Sequence, residues 1–336
     1  MPTRLGLQIP NFTYPGVEVA DLFEVVAGAA VAGEASGFDT VFVMDHFFQL
    51  EMMGPPEMEM IEAYTLLGAL AARTERVSLG TLVTGVTYRY PAVLAKQVTA
   101  LDVISSGRAL LGIGAAWYQE EHDALGVPFP PLRERFELLE DALRIAQAMF
   151  AEPQSTVKGT HHSITDAWNS PRPVRPDGIP IMIGGSGEKK TFRLAAQYAD
   201  ELNIVCEADE LPRKVAALQG HLDDLGRDRS DINVTTLGLG LIEETHAKAE
   251  AVLFDMLRAR GVDDPKALLE DPAGQALLGR FIWGDPEEVA ARATSLIATG
   301  LDGLVINLPA NGQDPAIVKL AGETLTAALD EALGAR

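Results

Sequence analysis

The residues best suited to chemistry in this 336-residue chain fall in two places. The first is Asp45–His46, at the end of the apolar run 39–45. An imidazole held by a carboxylate can carry a proton near neutral pH. The plainer alternative is a carboxylate that caps the next segment and a loop histidine with its bonds satisfied. The second is GGSGEKKT, residues 184–191. Gly184, Gly185, Ser186, Gly187 and Glu188 form a glycine-rich turn ahead of a helical stretch. Successive N–H groups can there converge on an anion, favoured by the helix dipole. Lys189, Lys190 and Arg193 add local positive charge, and the spacing is not that of a Walker loop.

Other candidates are weighed against packing. Asn11 follows the first apolar run and can bond the edge of a planar ligand, or serve as a polar turn after Pro10. Gly80 and Gly85 bracket Leu82, Val83 and Thr84, and glycine inside a strand marks a bulge, a close approach to a ligand, or curvature. Gly112 and Gly114 begin like a dinucleotide fingerprint, but Trp117 replaces the third glycine, so that reading is rejected. Trp117 and Tyr118 can wall a pocket or pack a helix. His161–His162 reads as a solvated pair, Glu120–Glu121–His122 does not match HExxH, and no GxSxG elbow is present. Neither hydrolytic nor metal-centred chemistry is expected.

The elements that must position these residues follow from hydropathy. Eight short apolar runs, 4–10, 39–45, 77–84, 109–114, 180–184, 202–206, 232–241 and 303–308, alternate with longer helical stretches. Near-continuous apolar runs are the mark of parallel strands buried on both faces. Helices are expected at 133–150 and at 286–299, the latter with Asp285 as N-cap, Pro286 first, Glu288 closing a capping box and Gly300 ending it. One pattern occurs twice: Gly37-Phe38-Asp39 and Gly300-Leu301-Asp302 each lead from a helix into a strand. Eight βα units make a (β/α)8 barrel, with a doubly wound open sheet as runner-up. The expectation is one barrel domain over 1–336. Insertions fall around 151–179, with Pro153, Pro171, Pro173 and Pro176, and around 262–284.

Composition narrows the partners. Lys plus Arg number 27 and Asp plus Glu 48, a net charge of −21. That argues against nucleic acid and against anionic lipid. A single cysteine, Cys206, excludes a disulfide framework, and no apolar stretch reaches a membrane span. A cytoplasmic protein acting on a small molecule is expected.

Taken together, these segments resemble the luciferase-like monooxygenase family of flavin- and deazaflavin-dependent oxidoreductases, and its actinobacterial coenzyme F420 branch in particular. The likeness is carried by GLQIPNF, VFVMDHFFQ, LGTLVTGVTYRYP, the long block from LDVISSGRALLGIGAAWYQEEH to PPLRERFE, NSPRPV, IPIMIGGSGEKKT and GDPEEVAARATSLIATGLDGLVINLP, in family order. It implies a (β/α)8 barrel and bound F420, with FMN as the alternative. The ring would lie against a bulge with a cis peptide at Leu82–Val83, next to Thr84. Asn11, Ala116, Trp117 and Tyr118 would fall beside the ring, and Gly184–Glu188 would hold the cofactor phosphate. His46, beside Asp45, would handle a proton, and the assembly would be a homodimer. The chain departs from the sugar-phosphate dehydrogenases of that branch, which place a tryptophan where Leu50 stands and a glutamate where Trp117 stands. That argues against glucose 6-phosphate and leaves a second proton-transfer group unassigned. Phe47, Phe48, Leu50, Met52, Met53 and Met58 suggest an apolar substrate lip, or a loop packed on a second subunit. The implied activity is hydride transfer between F420 and a small apolar substrate. The rivals are an oxygen-using FMN monooxygenase and a non-catalytic deazaflavin-binding protein.

Overall fold

Strands that bury both faces against helices must close on themselves or find cover. The computed structural model, which describes residues 2–175, 177–279 and 281–334, shows a closed barrel. Pro176 and Arg280, one in each expected insertion, lie outside the described residues. In chain order, β1 (Leu5–Ile9), α1 (Leu22–Ser36), β2 (Thr40–Val43) and α2 (Ala63–Ala71) form the first two units. Next come β3 (Ser78–Thr81), the two-residue β4 (Thr84–Gly85), α3 (Pro91–Ile104) and β5 (Ala109–Gly114). Two helices follow, α4 (Gln119–Leu125) and α5 (Leu132–Ala151), then a hairpin of β6 (Gln154–Val157) and β7 (Ile164–Trp168). β8 (Ile181–Gly184), α6 (Thr191–Tyr198), β9 (Glu201–Ile204), α7 (Leu211–Leu225) and β10 (Asn233–Ile242) continue the barrel. After α8 (His246–Ala259), α9 (Pro265–Glu270) and α10 (Pro272–Leu278) come β11 (Phe281–Gly284), α11 (Pro286–Ile297), β12 (Gly303–Asn307) and α12 (Pro315–Gly334).

The parallel order β12-β1-β2-β3-β5-β8-β9-β10 closes when β10 pairs with β12. Its eight strands coincide with the eight apolar runs. Phe42, Leu110, Met182 and Val305 fill the interior, and Gly6 leaves room for Phe42, whose ring would stand 2.9 Å from an added Cβ. A second apolar layer lies between strands and helices; Leu79 and Leu111 there are fully buried. Truncating such a leucine to alanine costs about 2–5 kcal/mol.

The repeated helix-to-strand pattern has a physical reason. Gly37 and Gly300 share φ 107°, a left-handed helix end open to glycine. The aspartate two residues on then accepts N–H groups of the adjacent strand start. Asp39 takes those of Arg4 and Leu5, both at 3.0 Å, and Asp302 takes that of Val234 at 2.8 Å. Asp200 does the same for Ile181 at 2.8 Å. These carboxylates finish the floor of the barrel, where strands begin and backbone donors lack partners.

The insertion at 151–179 contains the antiparallel β6–β7 hairpin. Asp141 of α5 ties it down by accepting the N–H groups of Thr160, His161 and His162. Arg172 caps the end of α5, donating to the carbonyls of Phe150 and Ala151 at 2.9 and 2.7 Å. The stretch 262–284 is not a plain loop. It holds α9, α10 and β11, and β11 pairs with the far half of β10 to extend the sheet beyond the barrel. Among the described residues, no helix is long and apolar enough to cross a membrane.

Candidate active site

Strand C-terminal ends form the catalytic mouth of such barrels. Here the third strand is interrupted. Between β3 and β4 the chain bulges at Leu82–Val83, and that peptide is cis, at the bond the resemblance implies. The bulge fits because its neighbours lack side chains. A Cβ on Gly112 would stand 1.8 Å from the Thr81 carbonyl oxygen, and one on Gly114 or Gly184 about 3 Å or less from Val83. The GIG run of β5 is therefore room for this bulge. Gln8 pins it from inside, donating to the Leu82 carbonyl at 3.0 Å and accepting from Asn307 at 3.0 Å.

Asp45 and His46 leave β2 together but part at once. The Asp45 carboxylate, 1% exposed, turns to Arg89, which meets it with two N–H groups at 2.5 and 3.0 Å. Arg89 also donates to Glu62 at 2.6 Å and lies over the Tyr64 ring, 4.7 Å from its centre. Burial pushes the Asp45 carboxyl up, and Arg89 opposes that shift. Asp45 does not hold the histidine, contrary to the sequence expectation.

The carboxylate that meets His46 is Glu121, from α4. His46 Nδ1 lies 3.1 Å from Glu121 Oε2, while the backbone N–H groups of Phe47 and Phe48 and the Tyr88 hydroxyl donate to the same carboxylate. Glu121 is fully buried. Burial works against its charge, but the hydrogen bonds from His46 and Tyr88 outweigh it and hold the carboxyl below its ordinary range. Burial and Glu121 keep the Tyr88 hydroxyl protonated far above its usual range. The histidine ring is clamped edge-on by Trp117 and Tyr118, each with its centre 5.8 Å away. His122, next in sequence, is a packing residue, buried and stacked on Tyr88 with Nε2 2.6 Å from the Thr87 hydroxyl.

Trp117 is 58% exposed and stacks on Tyr118 at 5.2 Å, so it borders the mouth and does not pack a helix. Ala116 stands before it with φ 61°, its carbonyl held by Arg135 at 2.7 Å. On the other side, residues 46–62 form no regular element. Leu50 is buried with Met44 and Tyr118, Met53 packs on them, and Met52 is 67% exposed. Asn11 sits half-buried after β1, its carbonyl accepting from Tyr14 at 2.7 Å.

The glycine loop leads from β8 to α6 as expected. Gly185 has φ 146°, and a Cβ on Gly185 or Gly187 would press on Thr191 at 3.2 and 3.0 Å. Among the described residues, no backbone acceptor pairs with the N–H groups of Ser186, Gly187 or Glu188. That donor set suits an oxyanion. Two of the expected cations are engaged elsewhere. Arg193 pairs with Glu140 at 3.1 Å, and Lys190 lies over the Phe136 ring. Lys214 of α7, buried, reaches the loop, donating to the Ser186 carbonyl at 2.9 Å. The Glu188 carboxylate turns to Arg213 and to Lys214, 3.5 Å away.

A hollow of about 630 Å³ lies at the opposite end, among Glu201, Arg229, Asp231 and Asn233. That end of a barrel serves stability, and none of the mouth residues reaches it.

Comparisons with known proteins agree with this fold. Over 342 aligned residues the chain is 31% identical to a protein of Microbacterium testaceum named F420-dependent glucose-6-phosphate dehydrogenase, covering 97% of each. An F420-dependent secondary alcohol dehydrogenase, solved with an F420–acetone adduct, shares the fold with a TM-score of 0.78 at 21% identity, over 98% of this chain and 99% of that one. The oxygenating constituent of 3,6-diketocamphane monooxygenase from Pseudomonas putida, solved with FMN, shares it with a TM-score of 0.73 at 19% identity, over 98% of each. The luciferase-like monooxygenase model matches residues 5–303, and the chain belongs to that family.

Proposed function

We propose that this protein is a coenzyme F420-dependent oxidoreductase that transfers hydride between the deazaflavin C5 and a small, apolar organic substrate. The observation that carries the reading is the mouth itself. It combines a bulge for the ring after β3, a glycine loop of donors for the phosphate after β8, and a clamped histidine after β2. The names of the relatives support the same cofactor. Leu82, Val83 and Thr84 would back the ring, Asn11, Ala116 and Trp117 would border it, and Ser186–Glu188 with Lys214 would receive the phosphate. When bound, the cofactor supplies the hydride chemistry and the chain supplies orientation, water exclusion and proton handling.

His46 is the proton-handling group. Asp45 is not its partner but an anchor that fixes the turn after β2 through Arg89. The exposed Trp117, the Met52–Met53 lip and the buried Leu50 favour an apolar substrate over a sugar phosphate, and Arg89 and Arg213 are already engaged by carboxylates.

The assembly we propose is a homodimer through α3. Its outer face carries Tyr90, Val93, Gln97, Ala100 and Ile104 at spacings of three and four, and Tyr90, Val93 and Ile104 are 74%, 55% and 56% exposed.

Substitution of His46 by alanine tests the chemistry. F420 affinity should stay within a few-fold while turnover falls about 10²–10⁴-fold. Unchanged turnover would remove His46 from the mechanism.

A further inference from the structure

We propose that Glu121 is the positioning residue for His46, holding the ring with Nδ1 protonated and Nε2 directed to the substrate. This rests on the function proposed above and names the group that makes His46 competent.

The argument is one of donors and acceptors. An ionised carboxylate only accepts hydrogen bonds, so every group facing it must donate. Two of its four partners, the N–H groups of Phe47 and Phe48, can do nothing else. The third, Tyr88, keeps its proton and donates through its hydroxyl. The fourth is His46 Nδ1, which must then be Nδ1–H. In a neutral ring the basic nitrogen is accordingly Nε2. Among the described residues no lysine or arginine pairs with Glu121, and burying a carboxylate with no cation is costly. Its location is explained if it faces the charge His46 acquires on taking a proton. Trp117 and Tyr118 limit rotation of the ring, so tautomer and direction are set together.

Glu121 is thus a second layer to the reaction, acting through His46 and touching no substrate. Partners of this kind set which ring nitrogen is basic. Replacing such a carboxylate by its amide imposes the wrong tautomer and reduces turnover by orders of magnitude.

The test is a ¹H–¹⁵N correlation spectrum of histidine-labelled protein at a pH where the imidazole is neutral. The chain has 6 histidines, and a His46→Ala spectrum assigns the signal. The wild-type ring should be Nδ1–H. In Glu121→Gln it should switch to Nε2–H, with kcat down about 10²–10³-fold while KM and F420 affinity stay within about threefold. A wild-type ring found as Nε2–H would overturn the proposal even if no variant folds. So would a folded Glu121→Gln protein with unchanged tautomer and kcat. Failure of F420 to bind would sink the oxidoreductase reading and leave the tautomer result standing.

Discussion

Asp45 and His46 are adjacent in the chain and serve different partners. Asp45 is locked to Arg89 in a buried, two-pronged pair. Removing one member of such a pair strands the other charge at a cost of about 3–5 kcal/mol. Arg89→Met should therefore lower the urea midpoint sharply, and adding Asp45→Asn should recover most of the loss. A single variant within about 0.5 kcal/mol of wild type, the range of ordinary surface changes, would show that the pair is not stabilising. The position of His46 was legible from sequence, because it stands at the end of an apolar run. Glu121 is not legible in the sequence, because α4 inverts the usual polarity: it buries Glu121 and His122 and leaves Leu125 44% exposed. No periodicity rule finds a carboxylate whose partners lie 33 and 75 residues away.

The eight barrel strands could be read directly from the chain because burial on both faces removes polar residues from them. The run 77–84 read as one strand, yet it is two, since the bulge at Leu82–Val83 is as apolar as its flanks. β11, α9 and α10 were hidden by the proline- and glycine-rich composition of 262–284. The glycines around the bulge offer a contrast between two similar substitutions. Gly112→Ala places a methyl 1.8 Å from the Thr81 carbonyl oxygen, which as backbone cannot yield cheaply. It should destabilise the fold by several kcal/mol, roughly the overpacking range or above, and weaken cofactor binding by displacing Val83. Gly68→Ala in α2 meets nothing within 4 Å and should stabilise by about 0.5–1 kcal/mol. Equal effects in thermal unfolding would mean that β5 has no such constraint.

The barrel as a whole carries a pH signature in its floor. Glu201 is 1% exposed, and burial raises its carboxyl to about 7, against hydrogen bonds from Thr3 and Asn233. A carboxyl raised on folding binds its proton more tightly in the native state. Its contribution is full below the ordinary value of 4.5 and is lost as pH rises through about 7. Stability should fall between pH 5 and 8 by up to roughly 3 kcal/mol from this group, and Glu201→Gln should flatten that slope. A slope unchanged in the variant would show that Glu201 titrates normally. At the surface, Val93→Asp in the apolar stripe of α3 should give a monomer in sedimentation at micromolar concentration; a dimer of wild-type strength would place the interface elsewhere. The net charge of −21 makes such a stripe, free of carboxylates, a face where two copies can meet without repulsion. The measurement that bears most directly on function is a pair of fluorescence titrations of the purified protein, one with oxidised F420 and one with FMN. Micromolar or tighter binding of F420, with FMN at least tenfold weaker, is the expected result. Tight binding of FMN alone would contradict it and turn the same mouth toward oxygen chemistry.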